Sequence, residues 1–252
     1  MSRWRLLDVT DGTNRFRVSA RARPVVAIDG PAGAGKSTVA REAAATLGFV
    51  LVDTGALYRA IAWAARRAGV DWGDGAKLGE LARSIVAKRE LTLETRPQAP
   101  GRVTLAGEDV SEAIRSSEIG MGASAVSAHP EVRAALLDLQ RQLGAGGGVV
   151  LEGRDIGTVV FPDAEAKFFL TARPEVRAKR RYEELVAKGE RVSFDATLEE
   201  VRRRDENDTR RAVAPLRKAD DAILVDSSDK SIEEAVAFIV DRVRASFAGR
   251  GT

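Results

Sequence analysis

Near the start of the chain, Gly30-Pro31-Ala32-Gly33-Ala34-Gly35-Lys36-Ser37 follows the pattern G-x-x-x-x-G-K-[ST]. Glycines at these places can take positive φ, so successive N–H groups turn toward one concavity. Such a concavity takes anionic oxygens. Lys36 would reach the β- and γ-phosphates of a nucleotide, and the Ser37 hydroxyl would ligate Mg²⁺. A second set could act on the same groups. Arg59, Arg154, Arg177, Arg180, Arg181, Arg204, Arg210 and Arg211 fall near the ends of inferred strands or on helices beside them. A guanidinium forks onto phosphate oxygens. Several together would neutralise two phosphate groups brought close for transfer. Any one of these arginines alone reads as a solvated helix face. Their number beside candidate phosphate-facing turns carries the argument.

The elements that must hold these residues alternate between strand and helix. Residues 25–28 are an apolar, β-branched run and read as a buried strand. Residues 38–47 read as a helix with Val39, Ala43 and Leu47 on one face. The glycine loop therefore lies between strand and helix, the context in which the motif binds phosphate. Residues 49–52 read as a second buried strand, leading to Asp53-Thr54-Gly55. Residues 56–68 read as a helix with Thr54 as N-cap, Gly69 as its stop, and Arg59, Arg66 and Arg67 outward. Residues 76–87 form a further helix.

The pattern then changes. Residues 91–93, 102–105 and 108–110 are strand-like and are separated by Pro97, Pro100-Gly101 and Gly107, a small antiparallel sheet inserted into the alternating chain. Helical stretches follow over 111–128 and 130–143. Strands at 149–153, 166–171 and 222–225 complete the alternation, with arginine-rich helices at 174–188 and 198–208 and a closing amphipathic helix at 232–247. The fold class is α/β: a P-loop NTPase-type parallel five-stranded sheet with helices on both faces, plus the small inserted antiparallel sheet. In an open parallel sheet the ligand lies over the carboxyl ends of the strands. The loop and the arginines fall there.

Composition removes other classes. The 252 residues are 44% hydrophobic, enough for a substantial core. No apolar run approaches the roughly 18 residues of a membrane span, and residues 1–23 hold no signal-like apolar stretch. A cytoplasmic protein without a membrane role is expected. The absence of cysteine excludes disulfides, zinc-thiolate sites and thiol catalysis. With 40 basic and 37 acidic residues the surface is mixed, and charge alone does not call for nucleic acid. The single histidine, His129, precedes Pro130 and reads as a loop or capping residue. Residues 1–23 and 248–252 read as tails flanking one domain over 24–247. No guanine-reading Asn/Thr-Lys-x-Asp pattern is present, and the chain is small for a motor. A small-molecule kinase and a nucleotide-regulated switch are what the loop leaves open. A phosphate monoester acceptor would need no strong general base, because its second pKa lies near ~6.

Four segments carry a resemblance. They are Asp29-Gly30-Pro31-x-Gly33-x-Gly35-Lys36-Ser37, Asp53-Thr54-Gly55-Ala56-Leu57-Tyr58-Arg59, Gly153-Arg154-Asp155-Ile156-Gly157-Thr158-Val159-Val160-Phe161-Pro162-Asp163 and Arg210-Arg211-Ala212-Val213-Ala214-Pro215-Leu216. Together they resemble the bacterial cytidylate kinases, and the likeness spans residues 24–247. The resemblance implies a monomeric, ATP- and Mg²⁺-dependent enzyme of pyrimidine nucleotide metabolism that converts CMP and dCMP to CDP and dCDP. It implies an enlarged monophosphate-binding insert over about 57–143 and a mobile lid over about 172–192.

By position, the resemblance implies that Gly30, Pro31, Ala32, Gly33, Ala34, Gly35, Lys36, Ser37 and Thr38 hold the ATP phosphates. Thr54 stands where the family usually has Ser beside the acceptor. Arg59 and Arg154 would hold the CMP phosphate. Asp155 would accept a hydrogen bond from the cytosine amino group, with Ser124 and Arg133 completing the base pocket. A carboxylate there selects cytosine, which offers a donor where uracil offers an acceptor. Arg204 and Asp208 would face the sugar and Arg211 the phosphates. Lys36, Arg154, Arg177 and Arg181 would be catalytic, the last two within the lid, whose closure excludes water. Ser37 and Glu152, the latter acting through water, would hold Mg²⁺. Glu152 departs from the Asp of many family members; it keeps the charge on a side chain one methylene longer. A kinase preferring UMP or AMP, a non-catalytic nucleotide switch and a nucleic-acid-dependent ATPase are the competing functions.

Overall fold

The computed structural model describes residues 21–96 and 99–247. The expectations for residues 1–20, for Pro97 and for 248–252 lie outside the described residues. Eight strands and eight α-helices are described. In chain order they are β1 (Val25–Asp29), α1 (Lys36–Leu47), β2 (Val50–Asp53), α2 (Thr54–Arg67), α3 (Gly75–Ala87), β3 (Leu91–Arg96), β4 (Ala99–Leu105) and β5 (Glu108–Asp109). There follow α4 (Ser117–Val126), α5 (Pro130–Gly144), β6 (Val149–Gly153), β7 (Ala166–Thr171), α6 (Pro174–Ala187), α7 (Phe194–Arg210), β8 (Ile223–Asp226) and α8 (Ile232–Phe247). A single π turn, Ile156–Val160, follows β6.

The five parallel strands run in the order β2-β6-β1-β7-β8. β1 is central and buried along its whole length. Its side chains alternate between faces, as a strand requires. Val26 and Ile28 pack into the core shared with Val39, Ala43, Ile239 and Val243 of α1 and α8. Val25 and Ala27 face the other way, onto Leu151, Ile156, Val160 and Phe161. Asp29 is in register with Gly153 of β6 and Phe169 of β7. The tip of β1 therefore stands level with the residue that precedes Arg154.

The insert has a core of its own. Leu57 and Ile61 of α2, Leu78 of α3, Ile119 of α4 and Leu136 of α5 pack with Leu91 and Val103 of the antiparallel sheet β3-β4-β5.

Two expectations are corrected. The second strand is not buried throughout: β2 is an edge strand with Val50 42% exposed, and only Val52 is enclosed. An apolar run marks a strand, but its place in the sheet is set by distant partners. Thr54 is not the cap of α2. Asp53 is, its carboxylate accepting the Ala56 N–H at 3.1 Å, while the Thr54 hydroxyl donates to the Glu152 carbonyl at 2.7 Å. Among the described residues no helix is long and apolar enough to cross a membrane.

Candidate active site

The chain leaves β1 at Asp29 and turns through Gly30–35 into α1 in a way that only glycine permits at its first step. Gly30 has φ 153°, and a Cβ there would stand 1.9 Å from the Leu170 carbonyl oxygen. Gly33 and Gly35 also take positive φ, 73° and 88°. Gly35 caps α1 with no side-chain hydrogen bond, so the first N–H groups of the helix stay open to an anion.

A cleft of about 710 Å³ opens over this loop. Its lining includes Ala32, Gly33, Ala34, Gly35, Lys36, Ser37 and Thr38 on one side. Thr54, Arg59, Ser124, Arg133, Glu152, Arg154, Asp155, Arg181, Arg204, Asp208 and Arg211 line the rest. The fold thus brings together side chains drawn from 36 to 211. Of the residues expected in the site, Gly30, Pro31 and Arg177 do not line it.

Lys36 is buried and donates to the Pro31 carbonyl at 2.8 Å. Burial, then the charge of Arg154, hold its ammonium below the usual lysine range. An arriving phosphate would favour the charged form. Beside it, Ser37 Oγ donates to Glu152 Oε2 at 3.0 Å. Burial, then the carboxylate of Asp53, push the Glu152 carboxyl upward. Glu152 Oε1 is buried without a hydrogen bond. A hydroxyl and a carboxylate with an unused oxygen are hard donors of the kind Mg²⁺ prefers, and a cation there would relieve the repulsion from Asp53. The residues present fit the ion.

The arginines are held by acids from other elements. Arg154 Nε donates to Asp208 Oδ2 of α7 at 2.8 Å, and Arg59 Nη2 to Asp53 Oδ2 at 2.5 Å. The Nε atoms of Arg59, Arg181 and Arg204 are buried without a hydrogen bond. Buried donors without acceptors are costly, and phosphate oxygens would satisfy them. Burial and the neighbouring Arg154 lower the pKa of Arg204. Asp208 is held below the usual carboxylate range: burial works against this, and Arg154 outweighs it together with Arg211 and Arg204.

At the far end of the cleft Asp155 is 4% exposed and forms an ion pair with Arg133. Arg133 also donates to the Ser127 carbonyl at 3.2 Å and lies over the Tyr58 ring, 5.5 Å from its centroid. Arg211 lines the cleft beside this pair. Its guanidinium bonds the Ala214 carbonyl and lies 3.7 Å from Asp155 Oδ1. The expectation for Arg177 is corrected. It is buried, donates to the Ala32 carbonyl at 3.1 Å, and forks onto Asp205 at 2.9 and 2.6 Å. It holds the phosphate loop from behind. Arg210 is exposed and pairs with Glu206 on its own helix. His129 stands at the N-cap position of α5, and its ring bonds the Trp72 carbonyl at 2.8 Å, away from any reacting group.

Three acids escaped the reading of the sequence. Asp53 and Asp205 hold arginines, and Asp29 bonds the turn after β6. Asp29 and Asp53 stand inside quoted motifs, which was their only signal. Asp205 had none beyond lying three residues before Asp208.

The strand, glycine loop and facing arginines define a phosphoryl-transfer enzyme of the P-loop kinase class. The cytidylate kinase family model matches residues 26–245. A cytidylate kinase of Geobacter sp. (strain M21) is 49% identical over 89% of this chain and 94% of its own. One from Pelotomaculum thermopropionicum is 52% identical over 88% and 96% respectively. A solved structure of a protein from Eubacterium ventriosum ATCC 27560 shares the fold at 12% identity, with TM-score 0.50, covering 88% of this chain and 99% of that one. The chain belongs to the cytidylate kinase family, and it is a kinase acting on a nucleoside monophosphate.

Proposed function

We propose that the enzyme transfers the γ-phosphoryl group of ATP, in the presence of Mg²⁺, to the phosphate of CMP and dCMP, giving ADP with CDP or dCDP. The observation that carries this reading is the single cleft that joins the phosphate loop to Asp155, a buried carboxylate flanked by Arg133 and Arg211. A carboxylate accepts a hydrogen bond and cannot donate one. Cytosine offers an exocyclic N–H there, and uracil offers a carbonyl that it would repel. An unpaired buried polar group makes such discrimination steep.

The residues divide the work by position. Loop N–H groups and Lys36 hold the donor phosphates. Arg59 and Arg154, aimed by Asp53 and Asp208, hold the acceptor phosphate. Arg181 and Arg204 bring positive charge to the space between. Ser37 and Glu152 would hold Mg²⁺, which would neutralise charge on the transferred group. No general base is required, because the acceptor phosphate is largely ionised at neutral pH. Catalysis is then positioning and charge stabilisation. Acting as a monomer in the cytoplasm belongs to the same proposal.

The test is ADP formation from ATP and Mg²⁺ with CMP, dCMP, UMP, AMP or no acceptor. Fast turnover with CMP and dCMP and little without acceptor is expected. Equal turnover with UMP or AMP would overturn the base assignment, and acceptor-independent turnover would overturn the acceptor itself.

A further inference from the structure

Asp29 closes β1 and immediately precedes Gly30. Its side chain is 4% exposed and is absent from the cleft lining. It turns instead to the segment after β6. Oδ1 accepts the Ile156 N–H at 2.8 Å and Oδ2 accepts the Gly157 N–H at 2.7 Å. These are the first two donors of the π turn. Later donors find acceptors close by in the chain: Val159 and Val160 bond the Asp155 carbonyl at 2.9 and 3.2 Å, and Phe161 bonds that of Ile156 at 2.7 Å. The first two have nothing within the turn, and both residues are buried. One carboxylate on another strand satisfies both.

The turn begins immediately after Arg154 and Asp155. Its backbone sets where the Asp155 carboxylate meets Arg133 and Arg211. The turn is closed from its other side by Lys167, held by the Pro162 carbonyl at 2.7 Å and by Asp221 at 2.9 and 3.0 Å. A Cβ on Gly157 would lie 3.1 Å from Lys167 Cδ and 3.4 Å from Asp29 Oδ2, so little lateral play remains. A neutral amide could not replace the carboxylate. It has one acceptor oxygen, and its NH₂ would face the second N–H.

We propose that Asp29 is a positioning residue for acceptor recognition, tying the root of the phosphate loop to the turn that carries Arg154 and Asp155. The proposal rests on the reading of the cleft as one site for donor and acceptor. Asp29 touches neither nucleotide. It sets the distance and angle at which the two halves of the site face each other.

The experiment compares wild type, Asp29→Asn and Gly157→Ala for KM and kcat with ATP and with each acceptor, alongside thermal unfolding. In Asp29→Asn the KM for CMP should rise by about tenfold or more, and the preference for CMP over UMP should fall, while the KM for ATP stays within about twofold. Gly157→Ala disturbs the same contact against a flexible lysine, and should shift the same quantities in the same direction by less. Should Asp29→Asn fail to fold, Gly157→Ala decides. Unchanged acceptor KM and preference, with only a lower unfolding temperature, would reduce Asp29 to a purely structural role and overturn the proposal. Should wild type favour another monophosphate, the CMP reading fails, and Asp29 is judged on the KM for that acceptor.

Discussion

Lys36 rests on the Pro31 carbonyl of its own loop, a contact that an incoming phosphate would replace without unfolding anything. Lys36→Ala should therefore lower turnover by roughly 10²–10³, the loss usual for one charge-stabilising donor, with an unchanged circular dichroism spectrum. Near-normal turnover would remove the loop from the mechanism. Asp155→Ala should leave ATP binding intact and erase most of the preference for CMP over UMP; a preserved preference would place base reading elsewhere. Asp29 predicts a pH effect on stability. Burial pushes its carboxyl up to about 6, against the pull of the Gly157 and Ile156 N–H groups; Asp155 adds to the rise and Lys36 opposes it. With the folded pKa above the unfolded value, the stabilisation is complete below pH ~4 and lost as pH rises through about 6. Relative to Asp29→Asn, wild type should thus lose about 3 kcal/mol between pH ~4 and ~7, read by urea unfolding at each pH. A constant difference would contradict it. The carboxylate is costly to fold around at neutral pH, which argues that positioning keeps it there.

Helices act here by what they pin together. Arg177 of α6 bonds the Ala172 carbonyl behind β7 at 2.8 Å, the Ala32 carbonyl of the phosphate loop, and Asp205 of α7. Three elements meet in one guanidinium. The resemblance implied a catalytic arginine at this position, and helix periodicity alone could not say whether it faced the cleft or the body. Packing of α6 against α7 turns it inward. Arg177→Ala should cost about 3 kcal/mol in urea unfolding, the usual penalty for breaking a buried pair. A variant of unchanged stability that had lost turnover would return Arg177 to the phosphates. The strand–loop–helix unit itself was legible, because a continuous apolar run and three glycines are local signals. The edge position of β2 was not, because it depends on where β6 inserts.

Across the whole molecule, the insert meets the loop between α6 and α7 over the cleft. The Ser117 hydroxyl, at the start of α4, donates to Glu190 at 3.0 Å and accepts from Arg181 at 3.3 Å. Exposed contacts of this kind contribute under ~1 kcal/mol, so Glu190→Ala should hardly change the unfolding temperature. It should loosen closure and admit water, raising the ratio of ADP to CDP formed above the wild-type ratio. An unchanged ratio would mean that this contact plays no part in closing the proposed lid.

What the sequence determined by itself was short in range. The spacing of Gly30, Gly33, Gly35, Lys36 and Ser37, the alternation of strands and helices, and the motifs around Arg59, Arg154 and Arg211 follow from neighbours along the chain. They were enough to name the class of chemistry. Only the tertiary structure decided the partners: Arg154 with Asp208, Arg133 with Asp155, Asp29 with the turn at Ile156, Arg177 with Asp205. The order β2-β6-β1-β7-β8 brings strands far apart in the chain into register, and it does so by burying β1 from both faces. Which distant segment covers a given face has no period along the chain. An arginine's direction, and the acid that holds it, are therefore settled only when distant segments pack.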